Sequence, residues 1–568
     1  MKFRMVPILF FAVISLCWAD DLTLTISDGQ LKGTQKWSYA GKSYYAFYSI
    51  PYAKPPTGSL RFQAPVAVQS WNGVRDATTE GNICYQVNYD YNDENEDCLT
   101  INVYTPKNPS QITTKLPVLF YIHGGGFNWG SGQTKGKTGG IEPEYFMDRT
   151  DVVLVSINYR LGPFGFFSTG DSVIPGNAGL KDQRLALKWV QKNIASFGGD
   201  PTKVTIFGES AGGASVGYQI LSPSSAGLFR GAILSSGTPL CPWAFQRNQT
   251  EITYKTASFL NSQFDYNRDS RSLWTYLKTA NAKDIDKASK SYSDWAQSYS
   301  ETGFNGIING QLQQGFFYAP VVEAANPDAF LSEDPYEILA NGNFNKVPTL
   351  IGTCAEEGLM NYNEYLQWTL SVYDQNPSYL VPQNMHITDE NTKQLVGQAI
   401  KQEYSPNGQM ENNLLSGIQY FTDQDFQKSL IKHAEMQSKY TDIYFYVFSY
   451  SGQMGGNTQY RFLGTSNVTH TEEGNYIWQR SNPANYPVAD QKVHQRFMKI
   501  WTNFITYQNP TPFQDAELQY ITWPKFQENN APYVDIATDL TVKYGPKNKY
   551  VFWRSLYDRY GVKPYDTY

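Results

Sequence analysis

Short runs of consecutive apolar residues, each closed by a glycine-rich or polar turn, set the rhythm of the first half of the chain. Leu116–Ile122 is one such run and the Val-rich Asp151–Ile157 another. A strand buried on both faces reads as a continuous apolar run, so both predict interior strands of a parallel sheet. Between Gly179 and Phe197 the period changes. Leu187, Val190 and Ile194 recur at helical spacing, and Gly198-Gly199-Asp200-Pro201 ends the helix. Lys203–Phe207 predicts the next strand and Ala211–Leu221 the helix after it; Gly231–Leu234, Val347–Ile351 and Tyr444–Phe448 predict later strands. This alternation predicts an α/β fold, with a mostly parallel twisted central sheet covered by helices. Two stretches, about 241–345 and 359–440, are Tyr-, Gln- and Asn-rich and mixed in pattern, and predict large helical excursions. Ligands of open α/β sheets gather at the carboxyl ends of the strands, so such excursions would wall a site there.

Composition narrows the class. Hydrophobic residues make up 41% of 568, enough for a sizeable core, and the net charge is -6. No Lys/Arg cluster supplies the basic face that nucleic acid requires. At the start, Lys2 and Arg4 precede the apolar stretch Val6–Leu16, and Cys17-Trp18-Ala19 puts small residues at the positions a signal peptidase reads. Residues 1–19 are therefore expected to be a signal peptide cleaved after Ala19, since the apolar stretch is well short of the ~20 residues of a membrane span. Neither a retention signal nor a lipid-anchor tail is legible at Val562–Tyr568, so a secreted protein without a membrane anchor is expected. No composition break or repeat divides residues 20–568, which are expected to form one domain. Four cysteines remain after cleavage: Cys84, Cys98, Cys241 and Cys354. An oxidising route permits any of three pairings. Two N-glycosylation sequons start at Asn248 and Asn467; Asn248, in a polar excursion, is the expected site, whereas a glycan at Asn467 would crowd His470.

The chemistry-bearing motif is Gly208-Glu209-Ser210-Ala211-Gly212. G-x-S-x-G is weak alone, but here it follows a predicted strand and opens a predicted helix, as a nucleophile elbow must. His123-Gly124-Gly125-Gly126 follows the strand Leu116–Ile122 and matches the loop whose N–H groups face such a nucleophile. The N–H groups of Gly125, Gly126 and Ala211 are thus candidate oxyanion donors. A serine nucleophile needs a base and an orienting acid, in the chain order serine, acid, histidine for an α/β-hydrolase. Of the histidines after Ser210, His433 and His494 lie in apolar-periodic segments, His386 in a polar run, and His470 in the loop after the strand Tyr444–Phe448, where a base is expected. Glu356 and Glu357 both follow the strand Val347–Ile351, and the pattern does not choose between them. No zinc-binding spacing is present, and the chemistry calls for neither metal nor cofactor.

From about Gly29 to Asp558 the chain resembles the type-B carboxylesterase/cholinesterase family. Phe197–Pro201 through Val204–Phe207 into Gly208–Gly212 resembles its nucleophile signature, and Glu96-Asp97-Cys98-Leu99 its second signature. Ile50-Pro51-Tyr52-Ala53 with Arg61-Phe62 matches a third stretch, although Ser49 stands where the family usually has Gly; Phe552-Trp553 resembles its closing motif. The resemblance implies an α/β-hydrolase fold and a serine esterase acting on small-molecule carboxylic esters. It selects Glu357, which precedes Gly358, and His470, in Asn467-Val468-Thr469-His470, so the implied triad is Ser210, His470 and Glu357. It further implies a Cys84–Cys98 disulfide, ion pairs Arg61–Glu96 and Arg160–Asp182, and Glu209 and Ser236 as supporting residues near the histidine. A lipase-like preference for longer esters is the alternative within enzymes. A non-catalytic adhesion member is the alternative outside them, against which stands a filled set of catalytic positions. Neither acyl-chain preference nor oligomeric state is legible.

Overall fold

The computed structural model describes residues 22–134, 141–149, 151–298, 307–308, 311–312, 315–363, 365–406, 408–456, 460, 464–478, 481–546 and 549–568. The expected signal peptide and its cleavage point lie outside these residues. The strands are β1 (Leu22–Ile26), β2 (Gly29–Trp37), β3 (Ser43–Pro51), β4 (Val74–Asp76), β5 (Thr100–Thr105), β6 (Leu116–Ile122), β7 (Val153–Ile157), β8 (Gly199–Glu209), β9 (Gly231–Ser235), β10 (Ile307–Ile308), β11 (Gln311–Leu312), β12 (Thr349–Cys354), β13 (Ile443–Phe448), β14 (Tyr533–Ile536) and β15 (Leu540–Lys543). Among the described residues, β10 and β11 pair with each other and the others form one 13-stranded sheet. Its order is β1-β2-β3-β5-β7-β6-β8-β9-β12-β13-β14-β15, with β4 beside β2.

From β7 to β14 neighbouring strands run parallel, as the continuous apolar runs predict. β1, β2, β3 and β5 add an antiparallel flank, and β15 closes the far edge antiparallel. Successive strand residues face opposite sides. In β6, Val118, Phe120 and Ile122 enter one core layer with Leu187 and Val190 of the helix α1 (Ala178–Asn193) and Val216 of α2 (Ala211–Leu221). Leu119 and Tyr121 enter the other with Phe497, Trp501 and Phe504 of the helix α3 (Val488–Tyr507). Both faces are covered, so β6 has no polar side, and its sequence shows none.

The two expected excursions are chiefly helical, including Gln249–Ser258, Ala282–Ser298, Glu390–Tyr404 and Lys428–Gln437. Two buried ion pairs hold loops between these elements. Arg61 meets Glu96 at 2.6 Å and Arg160 meets Asp182 at 2.7 Å. Cys84 and Cys98 form a disulfide across the loop between them, while Cys241 and Cys354 are free and buried. Among the described residues, no helix is long and apolar enough to cross a membrane.

Candidate active site

The strands β8, β9, β12 and β13 are neighbours and parallel, so the segments leaving their carboxyl ends converge. Ser210 follows β8 and precedes α2 with φ 58° and ψ -126°. A residue with a Cβ rarely holds that conformation, and such strain gathers at functional turns. The turn is possible because its neighbours are bare: a Cβ on Gly212 would stand 2.1 Å from the Ile122 carbonyl oxygen.

The His123–Gly126 loop leaves the adjacent β6 and abuts the elbow. A Cβ on Gly124 would stand 3.2 Å from the Ser210 Cβ. Gly125 and Gly126 both take positive φ, 100° and 59°. Ala211 is the first residue of α2, so its N–H has no acceptor within the helix. The expected oxyanion donors thus lie in the two segments that meet at the serine. His123 anchors the loop: its Nδ1 lies 2.8 Å from the Gly124 carbonyl oxygen, and its ring stacks on Tyr159 at 4.4 Å. Burial pushes its imidazole down to about 4, leaving it neutral near pH 7.

After β12 come the two candidate acids between which the strand pattern does not choose. Glu357 is fully buried, and its Oε1 accepts from Ser236 Oγ at 2.6 Å, Thr353 Oγ1 at 2.8 Å and the Cys354 N–H at 2.7 Å. Its Oε2 lies 2.6 Å from His470 Nδ1. Glu356 points elsewhere, accepting the Ser466 N–H on both oxygens at 3.0 and 2.9 Å. The Glu356 N–H donates to the Val468 carbonyl at 3.0 Å, which ties the acid's turn to the histidine's loop.

His470 and Ser210 line one pocket, walled by Trp243, Phe316, Asp425 and Phe426. The Phe426 ring packs on the imidazole at 4.6 Å. The other three histidines after Ser210 are engaged away from it. His433 bonds Thr238 and Gln437, His494 the Tyr476 carbonyl, and His386 the Asp566 carboxylate.

The two supporting residues divide. Ser236, just past β9, serves Glu357 and not the imidazole directly. Glu209 accepts the Trp478 indole N–H at 2.9 Å, in the segment that continues from His470. Sequence reasoning missed a second buried carboxylate. Glu473 accepts from the Cys354 thiol at 2.6 Å and from Ser235, and lies 3.3 Å from Ser236 Oγ. Burial and the Glu357 charge push its carboxyl up. Three residues past a candidate base, it carried no signal beyond its charge. Asn248 is exposed, as its sequon requires, whereas Asn467 is 2% exposed and its Oδ1 accepts the Tyr460 N–H at 3.1 Å.

Comparison with known proteins agrees with this architecture. The model of the carboxylesterase family matches residues 20–553. Venom carboxylesterase-6 of Apis mellifera is 32% identical over 582 residues, covering 97% of each chain. Esterase FE4 of Myzus persicae is 33% identical over 526 residues, covering 88% of this chain and 86% of that one. The crystal structure of juvenile hormone esterase from Manduca sexta, with OTFP covalently attached, superposes with a TM-score of 0.79 at 27% identity, covering 95% of this chain and all of the other. The chain belongs to the carboxylesterase family and is a carboxylic ester hydrolase of the α/β-hydrolase fold.

Proposed function

We propose that the protein is a secreted serine esterase, one catalytic unit from Asp20 to Tyr568, that cleaves small-molecule carboxylic esters through an acyl-enzyme on Ser210. The observation that carries this reading is the chain of contacts from a buried, three-fold hydrogen-bonded Glu357 to His470 at 2.6 Å, with His470 sharing a pocket with the strained Ser210. His470 removes the serine proton as Oγ attacks the ester carbonyl, and Glu357 fixes the tautomer and steadies the imidazolium. The N–H groups of Gly125, Gly126 and Ala211 receive the charge that develops on the carbonyl oxygen. Collapse of the tetrahedral intermediate breaks the ester C–O bond, and His470 returns the proton to the departing alkoxide. Water then attacks the acyl-enzyme with the same proton transfers, releasing the carboxylic acid and restoring Ser210. The relative with OTFP covalently attached supports a covalent route in this fold. Burial and the Glu357 charge raise the Glu473 pKa, which disfavours a second negative charge behind Glu357.

Ser210→Ala tests the reading. Turnover of p-nitrophenyl butyrate should fall by a factor on the order of 10⁶ with the fold intact. A variant retaining more than about a hundredth of wild-type kcat contradicts it. Secretion is tested separately: N-terminal sequencing of the exported protein should begin at Asp20.

A further inference from the structure

The pocket shared by Ser210 and His470 has aromatic walls and one carboxylate, Asp425. Asp425 sits in a short π-helical turn, Asp423–Gln427, between two α-helical segments. Turns of this kind displace side chains from the regular helical face and recur at functional sites. This one is held on both sides. Asp423 accepts the Tyr404 hydroxyl at 2.7 Å, and the Asp425 carbonyl accepts the Trp243 indole N–H at 2.8 Å. The next residue, Phe426, packs on the His470 ring. The turn that carries Asp425 therefore also positions the walls around the reacting atoms.

Among the described residues, nothing donates a hydrogen bond to the Asp425 carboxylate. Burial pushes its carboxyl up to about 7, with the Lys428 charge pulling the other way. Lys428 does not pair with it. Its ammonium lies 3.2 Å from the Tyr557 hydroxyl and faces the rings of Trp553, Tyr557 and Tyr568. Asp425 is partly buried and shares the pocket lining with Trp243, Phe316 and Phe426. A substrate that displaces water from these walls leaves the carboxylate without a donor unless it brings one, which is costly. Burial pushes the Lys428 pKa down to about 7, so it is no fixed counter-charge. A hydroxyl, which can donate to the carboxylate and accept from the neutral acid, complements Asp425 in either form.

We infer that Asp425 is a specificity-determining residue that accepts a hydrogen bond from a hydroxyl on the ester, so that the enzyme selects hydroxylated esters over their plain hydrocarbon counterparts. The inference rests on the catalytic reading of Ser210 and His470 above. A site built to hydrogen-bond a substrate hydroxyl rejects the analogue lacking it, because the analogue covers the site's polar group and leaves it unpaired.

Two matched pairs test it at about pH 8, where the carboxyl is mostly ionised. p-Nitrophenyl 3-hydroxybutyrate against p-nitrophenyl butyrate places the donor on the acyl side, and 4-hydroxybutyl acetate against butyl acetate on the alcohol side. Active sites are counted with a fluorophosphonate, so that folded, competent enzyme is compared throughout. The wild type should favour the hydroxylated member of one pair by tenfold or more in kcat/KM, and Asp425→Leu should reverse that preference. Asp425→Asn, nearly isosteric, should weaken it severalfold and serves as the test if the leucine variant does not fold. Equal kcat/KM within both pairs, or a preference unchanged in the variants, overturns the inference while normal titration leaves the catalytic reading standing. A wild type that neither hydrolyses these esters nor takes the label at Ser210 overturns both.

Discussion

Replacing Glu357 by Gln should abolish catalysis by a route the hydrogen bonds dictate. Oε1 of Glu357 accepts from three donors, Ser236 Oγ, Thr353 Oγ1 and the Cys354 N–H, all within 2.8 Å. A glutamine amide must offer its oxygen to those donors, because its NH₂ there would confront them. The NH₂ then faces His470 Nδ1, at the 2.6 Å contact now made by Oε2. An amide N–H donates, so Nδ1 becomes the acceptor and the imidazole proton moves to Nε2, leaving that nitrogen unable to take a proton from Ser210. Forcing the wrong tautomer in a serine triad lowers kcat by about 10⁴, or about 5.4 kcal/mol of activation free energy. KM should change little, since Glu357 is fully buried behind the histidine. Glu356→Gln should stay within a few fold of wild type, because Glu356 contacts the Ser466 N–H and not the imidazole. The assay is p-nitrophenyl butyrate hydrolysis normalised to protein of unchanged melting temperature. A Glu357→Gln enzyme within tenfold of wild type, or a Glu356→Gln enzyme more damaged than it, refutes the reasoning.

Removing the Cys84–Cys98 bridge, which spans a separation of 14 residues, should cost about 3 kcal/mol in denaturant unfolding. Cys241 and Cys354 should react with a thiol reagent only after unfolding; a Cys241–Cys354 peptide recovered without reduction would contradict this. Glycopeptide mapping should find Asn248 occupied and Asn467 bare, because Asn467 is buried with its Oδ1 engaged. Lys181→Met should destabilise by about 3–5 kcal/mol by stranding Glu323, its 2.6 Å buried partner; a loss under about 1 kcal/mol would refute that. The hydrogen bond to Asp566 raises the His386 pKa, so its contribution to stability is full below the unfolded-state value of about 6.5 and fades as pH rises through the folded-state value. His386→Gln should therefore lower the melting temperature more at about pH 5 than at about pH 9, and an equal loss at both would contradict the linkage.

The parts legible in the sequence were those with a local signature. Strands buried on both faces showed as uniform apolar runs, and Leu116–Ile122 and Ala211–Leu221 coincide with β6 and α2. Val347–Ile351 was early by two residues because Pro348 has no N–H to pair, and the strand begins at Thr349. The antiparallel flank escaped notice. β2 mixes buried and exposed residues without clean alternation, and at the opposite edge β14 and β15, four residues each, are too short to show a pattern. Ser210 was legible because steric demands fix the glycines around it. The choice between Glu356 and Glu357 was not, since it depends on how a turn after β12 meets a loop after β13. The pocket walls were the least legible. Trp243, Phe316 and Asp425 come from distant excursions, and only packing brings them to His470.

The central claim is that a single serine carries the acyl group. Mass spectrometry of the enzyme treated with a fluorophosphonate, followed by peptide mapping, tests it most directly. One equivalent of label on Ser210, with esterase activity lost in step, is the predicted result; label on another serine, or activity surviving full modification of Ser210, would contradict the account.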